Sequence, residues 1–317
     1  MDFIAGGEIQ HLSLLSIVQH SIAIPKSSPK TFFLITLLLI LPLSLFILLD
    51  SSAIYYLVDK QYRGHSTTPS SQQIYFTVTI LSQSIHLLLL FIFSLLSTAA
   101  TVYTIASLYT FNVTTFSTTI SALPRIFPRI FISFLWVFLL VFVINVVFYS
   151  VAIITMIAIL ETHHYFYLFT LFIVVLLFLV AHLWVTVVWQ LTTTVSVSEP
   201  VYGREAMKKS WVLLKGKRWT ALILVMGPVS VDLSRAFDRV VMYGGIIGIE
   251  MWVRVLVGVV LVLLMVVVNL LWLLVQSVFY YVCKSFHHES AEKNALQDVL
   301  QGYVRLDAKA GGDVLGG

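Results

Sequence analysis

Ile130 to Leu160 reads IFISFLWVFLLVFVINVVFYSVAIITMIAIL, thirty-one residues without a Lys, Arg, Asp or Glu. As a helix at 1.5 Å per residue, that stretch measures about 46 Å, more than the roughly 30 Å of a bilayer's hydrocarbon core. A second uncharged run, Tyr165 to Leu191, follows the short turn at Glu161, His163 and His164. The pair predicts a transmembrane helical hairpin. The whole chain agrees: its 317 residues are 59% hydrophobic and 11% charged, with mean hydropathy +0.96, against roughly 25% charged in an ordinary globular chain. A soluble core of this size cannot hide so much apolar side chain, so the bilayer is the solvent for most of it. That excludes a soluble enzyme, a nucleic-acid binder and a secreted disulfide scaffold, and a single Cys leaves no internal disulfide or Cys-based metal site.

Working outward from the hairpin, uncharged runs predict further spans. The first covers about 31–49, with Pro42 inside it. The second lies within Ile74 to Phe111, thirty-eight uncharged residues that would measure about 57 Å as one helix. Twelve of the twenty-five residues from Ser97 to Ser121 are Ser or Thr, which places the membrane exit there, with Pro124 and Pro128 shaping the connection to the hairpin. A fifth span starts at Trp219 and becomes ambiguous at Asp232, Arg235, Asp238 and Arg239, whose spacing suits helical ion pairs. A sixth covers about 255–283. The expected fold is all-α: a polytopic membrane bundle of about six transmembrane helices with cytoplasmic interfacial helices. Its parts are an N-terminal segment (1–30), a transmembrane domain (31–285) and a tail (286–317) that holds one further helix between Ser290 and Gly302.

Six crossings put both termini on one side. The segments on that side carry fourteen of the Lys and Arg residues and the opposite segments five, which assigns both termini to the cytoplasm. No cleavable signal peptide is legible in the first thirty residues, so the first span serves as the targeting signal. An offset of 84 pairs Ala122, Arg125 and Phe127 with Ala206, Lys209 and Trp211. This reads equally as a weak internal repeat and as a shared interfacial composition.

The stretch most informative about function follows the fourth span. From Arg204 to Trp219, Met207, Trp211 and Leu214 fall on one helical face, Glu205 is spaced to pair with Lys209, and Gly216 is placed to stop the helix. This predicts an amphipathic helix on the inner leaflet. Its anionic-lipid contacts would be Arg204, Lys208, Lys209, Trp211, Lys215, Lys217 and Arg218, with each cation near the surface worth about 1 kcal/mol. The plainer alternative is a positive-inside anchor with no ligand.

These residues also carry a resemblance. Glu199, Pro200, Tyr202 and Gly203, the stretch AMKKSWVLLKG from Ala206 to Gly216, and VQSVFYYVCKSFHH from Val275 to His288 resemble a plant family of uncharacterised six-span membrane proteins. More distantly they are similar to the membrane domain of glycerophosphodiester phosphodiesterases and to YciC-type inner-membrane proteins. The resemblance implies an integral membrane role in the plant endoplasmic reticulum or plasma membrane. It imports no catalytic residue, because the phosphodiesterase barrel is a separate soluble domain.

Polar residues within the spans are the other functional candidates: His86, Asn145, His182, Gln190, Asn269 and Gln276. They suit hydrogen bonds between helices, or the lining of a route for a lipid or small solute. Cys283, beside Lys284 at the inner boundary, is placed for S-palmitoylation. His288 with Glu292 is a weak metal pair, and Gly244 with Gly248 a GxxxG spacing. No P-loop, dinucleotide fingerprint, HExxH or GxSxG is present. The expectation is a protein without catalysis, metal or cofactor, whose partners are membrane lipids, anionic ones included, and proteins met through its cytoplasmic segments. It serves as a scaffold or lipid-interacting component, with transport as the alternative.

Overall fold

The computed structural model describes residues 14–48, 69–111, 114–162, 165–225, 227, 229–234, 251–287, 298–301 and 303. Helices and no strands are found among them. The helices are α1 (Leu14–Ser27), α2 (Pro29–Leu48), α3 (Pro69–Phe111), α4 (Phe116–Thr162), α5 (Tyr165–Ser198), α6 (Arg204–Leu213), α7 (Arg218–Ala221) and α8 (Met251–Phe286). Five segments are long and apolar enough to cross a membrane: Pro29–Leu48, Ile80–Phe111, Phe116–Leu160, Leu168–Ser198 and Val255–Phe286. The chain is therefore a multi-pass membrane protein.

The sequence accounts for most helix ends. Ser28 precedes Pro29, whose fixed φ suits the first helical position and whose missing N–H costs nothing there. A π-turn at Thr36–Ile40 widens α2 just before Pro42, where Leu41 N–H reaches back to Thr36 O. A helical proline crowds the carbonyl four residues earlier, and the wider turn relieves that contact. Thr115 caps α4, its hydroxyl accepting from Thr118 N–H at 3.4 Å. Because the helix is already under way there, Pro124 and Pro128 lie inside it, both exposed, and not in a connection as their sequence suggests. α5 stops at Ser198 because Pro200 disfavours helical backbone at Glu199.

In the stretch that the sequence leaves ambiguous, the described residues after Arg218 form the single turn of α7, a 3-10 turn at Leu222–Val225 and helical residues at 229–234. In the sequence, Gly227 and Pro228 fall within the apolar run and Asp232 is its first charge, thirteen residues after Trp219. The expected ion pairing at Arg235, Asp238 and Arg239 and the Gly244 to Gly248 spacing lie outside the described residues, as do Asn112, which opens the N-glycosylation sequon Asn112-Val113-Thr114, the metal pair His288 and Glu292, and the start of the tail helix.

The fold divides into two compact units. One comprises Ser16–Leu123 and Met226–Val275. Its core packs Leu43, Ile47 and Leu48 of α2 on Leu261 and Met265 of α8, with Phe93 of α3 against them. The other comprises Met1–Leu15, Pro124–Val225 and Gln276–Gly317.

In each unit a Ser/Thr-rich helix end is buried on every side: Ala99 to Ser107 of α3 in the first, Leu191 to Ser198 of α5 in the second. The hydroxyls make this tolerable by bonding their own helix, as Thr192 does to Val188 O at 2.7 Å and Ser196 to Thr192 O at 2.8 Å. Their small size lets neighbouring backbones approach. By contrast, the hairpin halves of α4 and α5 are largely bare, with Phe142, Ile154, Phe169 and Leu177 among many exposed apolar side chains.

Candidate functional site

The best-defined polar site lies in the second unit and centres on Glu199. Its backbone N–H still bonds Val195 O at 2.9 Å, so the side chain leaves the last turn of α5 in a fixed direction. It is 5% exposed. Oε2 lies 2.7 Å from Lys209 Nζ of α6, while Oε1 accepts from Tyr280 OH at 2.7 Å and Lys284 Nζ at 3.1 Å, both on α8. Burial alone would raise the carboxyl pKa. The hydrogen bonds from Lys209 and Tyr280 and the charge of Lys284 outweigh it and hold the pKa below its ordinary value. The site is a carboxylate fully satisfied by three donors.

Those donors belong to a polar seam. Gln276, Tyr280, Lys284 and His287 recur at helical spacing along one face of α8. Gln276 Nε2 donates to Gln190 O and to the hydroxyls of Thr193 and Thr194 at 2.8 and 3.1 Å. The imidazole of His287 lies 3.2 Å from Leu213 O, a contact that needs the Nε2–H tautomer.

A second cluster adjoins the turn after Glu199. Gly203 has φ +65°, and its N–H donates to Ser133 Oγ of α4 at 2.7 Å; that hydroxyl is also 2.7 Å from Ser196 Oγ. Arg129 donates to Tyr303 OH at 2.8 Å, with its guanidinium 5.1 Å from the Tyr303 ring and 5.9 Å from the Tyr202 ring. Arg125 donates to Tyr303 O. Between α4 and the turn lies an open cleft of about 340 Å³, lined by Ile132, Trp136, Tyr202, Gly203, Arg204 and Glu205, among others.

The expected lipid-contact residues divide into two groups. Arg204, Lys208, Lys215 and Arg218 are exposed, as is Trp211 at 52%. Arg218 sits 6.0 Å from the Trp184 ring and Lys217 5.2 Å from the Phe286 ring. Lys209 departs from expectation: its ion pair is with Glu199, not with Glu205 one turn away. Leu214 does too, at 2% exposure. α6 lies on α5 through Ala206, Ser210 and Leu213, so its most buried face is turned from the Met207 and Trp211 face that the sequence marks as apolar. Gly216 does stop the helix, at φ +93°.

Cys283 is 0% exposed, inside the protein and not at the boundary surface where acylation would need it. The packing of α8's inner face seals it. Among the intramembrane polar residues, Gln190 and Gln276 meet directly. His86 Nε2 contacts Phe46 O at 2.7 Å, and Asn269 Nδ2 donates to Ser44 Oγ at 3.0 Å. Asn145 bonds Val141 O of its own helix, and His182 is exposed beside Phe178.

Tyr280 and Lys284 were not legible as partners of Glu199. The one available signal was an acid placed directly after a long uncharged span, with Lys284 closing another. No curated protein and no solved structure matches the chain. A family model described as a domain of unknown function (DUF8558) matches residues 1–309.

Proposed function

Since the chain belongs to the DUF8558 family, a domain of unknown function, we propose from its geometry that it is a multi-pass membrane scaffold without catalysis, one that holds anionic lipid headgroups against α6. The observation that carries this reading is the orientation of that helix. Ala206, Ser210 and Leu213 fix it on α5, while Arg204, Lys208, Trp211 and Lys215 stay exposed. A docked helix presents its cations with little further ordering cost. Transport draws less support, since His86, Gln190, Asn269 and Gln276 are engaged in hydrogen bonds that bridge helices or, for His86, reach a second segment.

The fourteen-to-five division of Lys and Arg supports cytoplasmic termini, with a span starting at Trp219 completing the six crossings. The likeness of Glu199–Trp219 and Val275–His288 to plant six-span proteins supports the endoplasmic reticulum or plasma membrane of a plant cell, with protein partners met through the cytoplasmic segments.

Native mass spectrometry of the full-length protein, titrated with phosphatidylglycerol at low ionic strength, tests the lipid reading. Replacing Lys208, Lys215 and Arg218 together by Gln should weaken anionic binding by roughly 3 kcal/mol, and less at high salt. Equal binding by the wild type and the triple variant would overturn it.

A further inference from the structure

The cleft between α4 and the turn after α5 has chemistry that the cations of α6 do not explain. Its α4 wall is Ile132 and Trp136, which continue into the exposed apolar residues Leu135 and Leu139. Its other wall is the turn from Pro200 to Glu205, held by the bond from Gly203 N–H to Ser133 Oγ. A Cβ at Gly203 would stand 3.3 Å from both Ile132 Cγ2 and Trp136 Cδ1, so glycine is what leaves the cleft its depth. Arg204 and Glu205 stand side by side in the lining. Both are exposed, and among the described residues neither has an ion-pair partner.

The cleft also sits at a defined height. α4 carries Arg125 and Arg129 and then no charge from Ile130 to Leu160, while α5 is uncharged until Glu199. The turn therefore lies where hydrocarbon gives way to headgroups, and Trp136 and Tyr202, 41% and 45% exposed, hold the position of interfacial aromatics.

We propose that this cleft binds the headgroup of one zwitterionic phospholipid. The phosphate lies on the Arg204 guanidinium, which matches phosphate oxygens in a planar fork. The amine-bearing end lies between the Glu205 carboxylate and the Trp136 ring, a combination of charge and ring quadrupole suited to an ammonium group. One cation and one anion in the lining match a headgroup of zero net charge, and the carboxylate disfavours a purely anionic one. The acyl chains follow the bare face of α4 past Leu135 and Leu139. The proposal rests on the lipid-contact reading of α6 in sharing Arg204, but it assigns a different lipid class to a different set of side chains.

The test is competition in native mass spectrometry between equimolar phosphatidylcholine and phosphatidylglycerol on the full-length protein. In the variant with Lys208, Lys215 and Arg218 replaced by Gln, which removes the cations of the anionic-lipid reading, the protein should retain one phosphatidylcholine per chain in preference to phosphatidylglycerol. Arg204→Gln and Glu205→Gln should each reduce that retention about tenfold, and both are surface changes whose melting temperature should match the wild type. Glu205→Gln should also shift the preference toward phosphatidylglycerol, which a merely structural role would not do. Equal retention of the two lipids by the triple variant, or phosphatidylcholine retention unaltered by Arg204→Gln and by Glu205→Gln, would overturn the cleft assignment. The triple variant at Lys208, Lys215 and Arg218 should keep its phosphatidylcholine, so loss of the anionic reading and loss of the cleft reading are separate results.

Discussion

Tyr280 donates a 2.7 Å hydrogen bond to Glu199 across eighty-one positions of sequence, and Lys284, one turn further along the same helix, completes the contact at 3.1 Å. A carboxylate that is 5% exposed thereby becomes the point at which α5, α6 and α8 are joined.

Removing the charge should release that joint. Glu199→Gln leaves Lys284, whose side chain is 18% exposed, without its counter-ion, and breaking a mostly buried pair costs about 3 kcal/mol. Tyr280→Phe deletes one hydrogen bond and should cost about 1 kcal/mol. Thermal melting of the two purified variants orders them, and a melting temperature for Glu199→Gln at or above that of Tyr280→Phe would contradict the assignment.

Acid should act through the same carboxylate. Its pKa is lowered from the ordinary 4.5 because Lys209, Tyr280 and Lys284 outweigh burial, so the unfolded chain takes up the proton first as pH falls. The stabilisation is complete above pH about 4.5 and is lost as pH drops through the lower folded value. Melting temperature measured from pH 7 to pH 3 should fall more steeply below about pH 4.5 in the wild type than in Glu199→Gln. Parallel curves would refute the role.

Backbone conformation makes a separate prediction. Gly203→Ala places a side chain at φ +65°, 3.3 Å from Ile132 and Trp136, and should cost about 1–2 kcal/mol. Gly216→Ala, at φ +93°, drives a Cβ into the Phe286 ring and should cost more. Melting of the two variants side by side checks the order.

Burial makes Cys283 inert. At 0% exposure it should react with a maleimide in the folded protein at less than about a tenth of its rate in unfolded protein. Rapid labelling under native conditions would show that this end of α8 opens.

Topology has its own readout. Asn112, with Val113 and Thr114, forms an N-glycosylation sequon that the cytoplasmic-termini reading keeps out of the lumen. It should stay unmodified on expression in eukaryotic cells; a glycosidase-sensitive mass shift abolished by Asn112→Gln would reverse the orientation.

What the sequence revealed depended on the range of the interaction. Long uncharged runs set α2, α3, α4, α5 and α8 because hydrophobic burial in a bilayer is decided locally, and Gly216 was legible as a stop because positive φ is a single-residue property. The pairing of Lys209 was misread for the same reason: Glu205, four residues away, fits a helical pair, whereas Glu199 captures the lysine only once Pro200 and Gly203 have turned the chain back. Tyr280 and Lys284 meet Glu199 through tertiary packing, which no spacing within either helix encodes. The segment after Arg218 was ambiguous in the sequence because its first charge, Asp232, comes only thirteen residues after Trp219, fewer than a full crossing needs.

The bare hairpin of α4 and α5 has a consequence for where in a cell this protein is comfortable. Ile130 to Leu160 offers thirty-one uncharged residues, a length of about 46 Å as a helix. A thin bilayer of roughly 27 Å leaves more of that run to be absorbed by tilting or by local thickening than one of about 33 Å does, at a fraction of a kcal/mol for each ångström of mismatch. Summed over the part of the hairpin beyond Trp136, that difference would favour a thicker bilayer over a thinner one.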